Sequence, residues 1–190
     1  MIEQLTQLDH QIFFAINNGL SNAFFDFLMP ILRNKLTWIP LYALIVFFAI
    51  KWYKLKGLYL LLFLGATVGM ADYGSASILK PSFERIRPCN NELIKERVIS
   101  RVPCGSGLSF PSTHASDHFA IAIFFITIFY RRWKPVIPIG LIWAGSICLA
   151  QVYVGVHFPA DVTVGMLFGS LLAFFVASVF KRYIVLPDTI

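Results

Sequence analysis

GLYLLLFLGATVGMADYGSASIL, residues 57–79, carries a single charged side chain, Asp72, in a run long enough to cross a bilayer. About 20 mostly apolar residues span the hydrocarbon core, so the stretch reads as a membrane helix rather than as the interior of a soluble domain. Comparable runs lie at 36–53, 112–131, 135–156 and 162–180. The expected fold is therefore all-α, a polytopic membrane helix bundle with about five transmembrane helices. Composition agrees, because 57% of the 190 residues are hydrophobic and only 14% are charged, with a mean hydropathy of +0.70. A soluble domain carries nearly twice that share of charge. Asp72 itself reads as a partner for a cation or for a polar helix contact.

Outward from that run, the ends of the apolar stretches set the orientation. Lys51, Lys54 and Lys56 follow the first span, Arg131, Arg132 and Lys134 follow the third, and Lys181 and Arg182 follow the fifth. These clusters alternate correctly to lie on the cytoplasmic side together. The 80–111 loop, the short 157–161 loop and the N-terminal segment then face outward. The expected location is the inner membrane of a bacterium, with the functional face toward the periplasm or cell exterior. The net charge of +6 is largely explained by this topology, so a nucleic-acid partner is not expected.

Residues 1–34 differ from the spans. FFAINNGLSNAFFDFLMPIL, residues 13–32, mixes Phe and Leu with Asn17, Asn18, Asn22 and Asp26, a pattern that suits two helices lying in the membrane interface and broken at Asn18-Gly19. No basic n-region or cleavage site marks a signal peptide. The whole chain, 1–190, is expected to form one membrane-embedded domain, with 1–34 as interfacial helices and 80–111 as an outer loop.

Three cysteines are present. Cys148 sits in an apolar span and reads as a small buried hydrophobe. Cys89 and Cys104 bracket the outer loop, where an oxidising face makes a disulfide one reading and two reduced thiols the other.

The polar residues at the outer ends of the spans carry the chemistry. Lys80, Arg85 and Arg87 fall in KPSFERIRP; Pro111, Ser112, Thr113 and His114 open the third span; His157 and Asp161 fall in VGVHFPAD. Singly, these are snorkelling cations, a helix N-cap, a loop histidine and a first-turn acid. Together, two cations and a serine at a helix N-terminus can hold a phosphate dianion. One histidine can attack phosphorus while the other protonates the leaving oxygen, and a carboxylate four residues from His157 can fix its tautomer.

These residues resemble the three-part signature of the type 2 phosphatidic acid phosphatases, K-x6-R-P, P-S-x-H and S-R-x5-H-x3-D. The first part is complete from Lys80 to Pro88 and the second from Pro111 to His114; the third has His157 and Asp161 at the required spacing. The resemblance implies a membrane lipid phosphatase without cofactor or metal. His157 would be the nucleophile that forms a phosphohistidine, Asp161 its orienting acid and His114 the general acid and base. Lys80, Arg87, Ser112 and Thr113 would bind phosphate. In the third part Ala150-Gln151 replaces Ser-Arg, so Gln151 stands where the family has a phosphate-binding arginine. An amide still donates hydrogen bonds but brings no charge. Arg85, or a cation from another loop, is a candidate to compensate.

The substrates that the resemblance implies are undecaprenyl diphosphate, phosphatidylglycerol phosphate, phosphatidic acid and lipid A phosphates, with the 80–111 loop a candidate gate. A lipid phosphotransferase and a non-catalytic lipid-binding or transport protein on the same scaffold are the alternatives. Asp117 and His118 lie one helical turn beyond His114. Asp117 is read as orienting His114 or as bonding within the bundle. His118 is read as a satisfied interhelical residue, against a metal site with His114, His157 and Asp161.

Overall fold

The computed structural model describes residues 2–187, which contain eight α-helices and no strand. They are α1 (Ile2–Asn17), α2 (Ala23–Arg33), α3 (Ile39–Tyr53), α4 (Leu55–Tyr73), α5 (Lys80–Phe83), α6 (Thr113–Phe129), α7 (Val136–Tyr153) and α8 (Pro159–Tyr183). A 3₁₀ turn, Lys35–Trp38, leads into α3, and a π-helical stretch, Gly74–Leu79, joins α4 to α5. Four of the segments are long and apolar enough to cross a membrane: Lys35–Tyr53, the rod that begins at Leu55, α7 and α8. The third expected span is shorter than the sequence suggests. Ser112 caps α6 and its last turn closes at Phe129, leaving 17 residues, about 25 Å at 1.5 Å per residue, at the lower limit for spanning.

α6 is also the most enclosed of these helices. It packs against α4, α7 and α8, and Ala115 through Ala120 are all buried. Its closest partner is α8, and glycine is the reason. A Cβ on Gly165 would lie 2.4 Å from the Ser112 carbonyl oxygen, and one on Gly169 would lie 2.0 Å from that of Ser116. Two glycines four residues apart thus let the two backbones touch, as small residues do at membrane helix interfaces. A backbone bond from Ser112 N–H to Asp161 O, 2.9 Å, locks the same register. This contact brings the starts of α6 and α8, distant in sequence, to one end of the bundle.

The basic clusters gather at the opposite end. Lys56 Nζ donates to Val185 O at 2.7 Å, Arg132 Nη2 to Leu186 O at 2.7 Å, and Lys181 Nζ to Thr127 O at 3.1 Å. Leu62, Leu171, Phe174 and Phe175 are exposed along the sides, as a lipid-facing surface requires.

The N-terminal helices break where the asparagines and glycine indicate, and they pack across α7 and α8 at the site end. Asn17 is not an interfacial polar residue but a fully buried hub. Its amide donates to Ile99 O at 2.9 Å and Tyr153 O at 2.7 Å, and its oxygen accepts from Ile99 N–H at 2.9 Å. Asp26 likewise accepts from Tyr153 Oη at 2.6 Å and pairs with Arg101. Arg101 also donates to Asn17 O, Tyr153 O and Ser21 Oγ. The outer loop is therefore stapled at its middle rather than free along its length.

Cys89 and Cys104 are bonded, with Cα atoms 6.0 Å apart, and Cys148 is free and buried. Closing a loop of 15 residues contributes about 3 kcal/mol by restricting the unfolded chain. Protein unfolded without reductant is expected to take an alkylating label on Cys148 alone, counted by intact mass. Three labels would show that the bond is absent.

Candidate active site

His157 sits in the α7–α8 turn, 2% exposed, with Asp161 in the first turn of α8 fully buried beneath it. The i,i+4 spacing directs His157 Nδ1 at Asp161 Oδ2, 3.4 Å away. The same oxygen accepts from Phe158 N–H at 2.7 Å, which caps α8, and from Ser109 Oγ. Asp161 Oδ1 accepts from Arg85 Nη1 at 2.7 Å, and Arg85 Nη2 reaches Asp9 of α1 at 2.5 Å. Asp9 in turn accepts from Ala160 N–H at 2.8 Å, and Arg85 lies over the Phe158 ring. A carboxylate with this many donors is fixed in place and holds Nδ1–H of His157, which leaves the lone pair on Nε2. Burial draws the His157 pKa down to about 4, against the opposing pull of Asp161, and Arg87 and Lys80 add to the lowering. The ring is thus neutral at pH 7.

This arrangement answers the question left by Gln151 for one of its candidates. Arg85 is committed to Asp9 and Asp161 and does not line the cavity, so it positions the carboxylate and does not replace the family arginine. Asp9 and Ser109, which spacing alone did not single out, belong to the same network. Their separations from Asp161 are too long for any periodic pattern to report.

The cavity beside His157 has a volume of about 380 Å³ and is lined by Lys80, Arg87, Thr113, His114, Gln151 and His157, together with Arg33 and Lys35. The π-helical stretch Gly74–Leu79 runs directly into Lys80, and such bulges are frequent at functional sites. Lys80 Nζ donates to Leu108 O at 2.8 Å and Arg87 Nε to Gly107 O at 2.8 Å. Neither has a carboxylate within 4 Å among the described residues. The segment just beyond Cys104 therefore places both cations at the cavity wall through its carbonyls.

His114 enters the same cavity from the first turn of α6, beside the helix N-terminus whose first N–H groups lack intrahelical partners. Among the described residues, Thr113 Oγ1 and Gln151 Nε2 are buried in the lining without a hydrogen-bond partner. Ser112 is placed differently from its neighbours. It is fully buried, its Oγ accepts from Ala115 N–H at 3.4 Å, and it is absent from the lining, so it acts as the N-cap of α6.

His118 is satisfied at both nitrogens. Nδ1–H donates to His114 O at 2.7 Å, which leaves Nε2 to accept from Tyr42 Oη at 3.3 Å. Asp117 pairs with Lys35 at 3.6 Å and, among the described residues, makes no bond to His114. The His114, His118, His157 and Asp161 set does not converge, and no three His, Cys, Asp or Glu among the described residues form a metal-binding group. A second cavity, apolar and about 440 Å³, opens between α3, α4, α6 and α7. Its wall includes Trp143, whose ring lies 5.2 Å from His118.

Fold and site together define an integral membrane protein with histidines and cations gathered around one cavity. The PAP2 superfamily pattern matches residues 55–184, and the chain belongs to that superfamily and is a membrane lipid phosphatase. It is 33% identical over 183 residues to a lipid A 4'-phosphatase of Bacteroides thetaiotaomicron, covering 93% of this chain and 80% of that protein. A lipid A 4'-phosphatase of Porphyromonas gingivalis is 25% identical over 185 residues, 94% and 75% of the two chains. Among solved structures, the PAP2-type phosphatidylglycerolphosphate phosphatase of Bacillus subtilis superposes with a TM-score of 0.68 at 25% identity, covering 96% of this chain and 88% of that one. LpxE of Aquifex aeolicus gives 0.65 at 25% identity, covering 93% and 96%.

Proposed function

We propose that the protein removes the 4'-phosphate of lipid A through a phosphohistidine on His157, without a metal. The observation that carries this reading is the cavity lined by His114, His157, Lys80 and Arg87, with neither cation ion-paired within 4 Å to a described carboxylate. In the first step His157 Nε2 forms a bond to phosphorus while the bond from phosphorus to the lipid oxygen breaks, and that oxygen takes a proton from His114. In the second step His114 accepts a proton from water, whose oxygen attacks the phosphohistidine and releases phosphate. Lys80, Arg87 and the N–H groups of α6 stabilise the charge on the phosphoryl oxygens in both steps. The choice of lipid rests on the two relatives that share most of their length with this chain.

Location follows from charge. The basic end of the bundle faces the cytoplasm under the positive-inside rule, which directs the cavity outward across a bacterial inner membrane. α1 and α2 expose Leu5, Leu8 and Ile12, and Phe24, Phe27 and Ile31, each set at i, i+3 and i+7, so both helices have the apolar stripe of an interfacial helix. The apolar cavity then receives an acyl chain while the headgroup reaches His157.

Purified protein offered lipid A, phosphatidylglycerol phosphate, phosphatidic acid and undecaprenyl diphosphate is expected to release phosphate fastest from lipid A, at the same rate in excess chelator. Release only after zinc is restored would replace this mechanism by a metal-assisted one. Preference for another lipid would keep the chemistry and change the substrate.

A further inference from the structure

Gln151 leaves the family's phosphate site one guanidinium short, and the structure shows where a guanidinium stands instead. Arg33, the last residue of α2, donates from Nε to Gln151 Oε1 at 3.3 Å. Gln151 is fully buried on the last turn of α7, and both residues line the cavity that holds Lys80, Arg87, His114 and His157. Arg33 is placed by more than this bond. Two turns earlier on α2, Asp26 accepts from Tyr153 Oη at 2.6 Å, and Phe25 packs edge-on against the Tyr153 ring. α2 is thus fixed to the end of α7 that carries Gln151.

The remaining donors of Arg33 are unused. Neither Nη forms a hydrogen bond to another described residue, and no described carboxylate lies within 4 Å of it. Arg85 and Arg101, partly buried at the same end of the bundle, differ from it in that each pairs with at least one carboxylate. A guanidinium does not lose its proton in a protein, so a half-buried one without a counterion is costly until an anion arrives. Burial and the nearby Arg87 both draw the Arg33 pKa below its usual value.

We propose that Arg33 is the third phosphate-binding cation of this enzyme, supplied by α2, and that Gln151 is a positioning residue that holds Arg33 Nε so that both Nη groups meet the phosphate. The pair does together what a single arginine at position 151 would do alone. Gln151 Oε1 accepts from the guanidinium, and its unpartnered Nε2 remains free to donate to a phosphoryl oxygen. The charge of the family signature is kept while its origin moves from α7 to α2, so the N-terminal segment becomes part of the active site. The inference rests on the phosphatase reading only in taking a phosphoryl group as the ligand.

The test exchanges the two residues in the full chain, with binding of inorganic phosphate by calorimetry and release of phosphate from lipid A as separate readouts. Arg33→Gln is expected to weaken phosphate binding and lower kcat/KM by about ten- to a hundredfold, the range for a lost hydrogen bond to a charged group. Gln151→Arg alone sets a second guanidinium against Arg33 and is expected to bring no gain. Arg33→Gln combined with Gln151→Arg restores the cation from the α7 side and is expected to recover most of both losses. Unchanged phosphate affinity in Arg33→Gln would overturn the proposal. So would a folded double variant that binds no better than Arg33→Gln. If Arg33→Gln does not fold, the double variant decides alone, by retaining or losing wild-type phosphate affinity. Wild-type protein that binds phosphate but hydrolyses no lipid would refute the phosphatase reading, while the binding readout still judges Arg33.

Discussion

His157→Ala is expected to lower turnover by about 10⁶-fold, the scale seen when an enzyme loses its nucleophile, and to remove the acid-labile phosphoenzyme with it. The size follows from the geometry. Among the described residues, His157 is the only histidine whose Nδ1 is held by a buried carboxylate, at 3.4 Å, and the ring lines the cavity. Its pKa of about 4 is set first by burial. Because burial favours the uncharged ring, the nucleophile stays available as pH falls from 7, and its own protonation reduces kcat/KM only below about pH 4. An acid limb near pH 6 then reports the substrate phosphate, whose second pKa lies there. A phosphoenzyme trapped at undiminished level in His157→Ala would assign the nucleophile elsewhere.

His114→Ala is expected to slow the reaction by about 10²–10⁴, the usual worth of general acid–base catalysis. The defect should depend on the leaving group. An aryl phosphate departs without a proton, so the variant should form the phosphoenzyme from it almost normally and then lose rate in hydrolysis, where the same ring must deprotonate water. Burst kinetics with an aryl phosphate would show a normal first turnover followed by a slow steady state. An equal defect on aryl and alkyl phosphates in the first turnover would mean that His114 binds phosphate and does not transfer a proton. His118 offers a control on the same face of α6. Both of its nitrogens are committed, to His114 O and Tyr42, so its replacement acts through the placement of His114 and not as an acid.

The apolar runs and their charged ends were legible in the chain because hydrophobicity and the positive-inside bias are properties of contiguous residues. So were the break at Asn18-Gly19, the K-x6-R-P and P-S-x-H segments, and the four-residue step from His157 to Asp161, which one turn of helix converts directly into a contact. The 17-residue length of α6 was less legible, since Ser112 and the turn after Phe129 decide it and the apolar run continues past both. What tertiary structure alone decided are the partners with no local spacing. Asp9 joins Arg85, and Arg85 joins Asp161, across 76 residues in each case, while Arg33 meets Gln151 across 118. Those pairs exist because α1 and α2 fold over the end of α7 and α8. The α6–α8 register at Gly165 and Gly169 sets where that end lies. A sequence pattern reports residues that one helix or turn brings together; a charge carried from α2 into a site built by α5, α6 and the α7–α8 turn is fixed only when the helices pack.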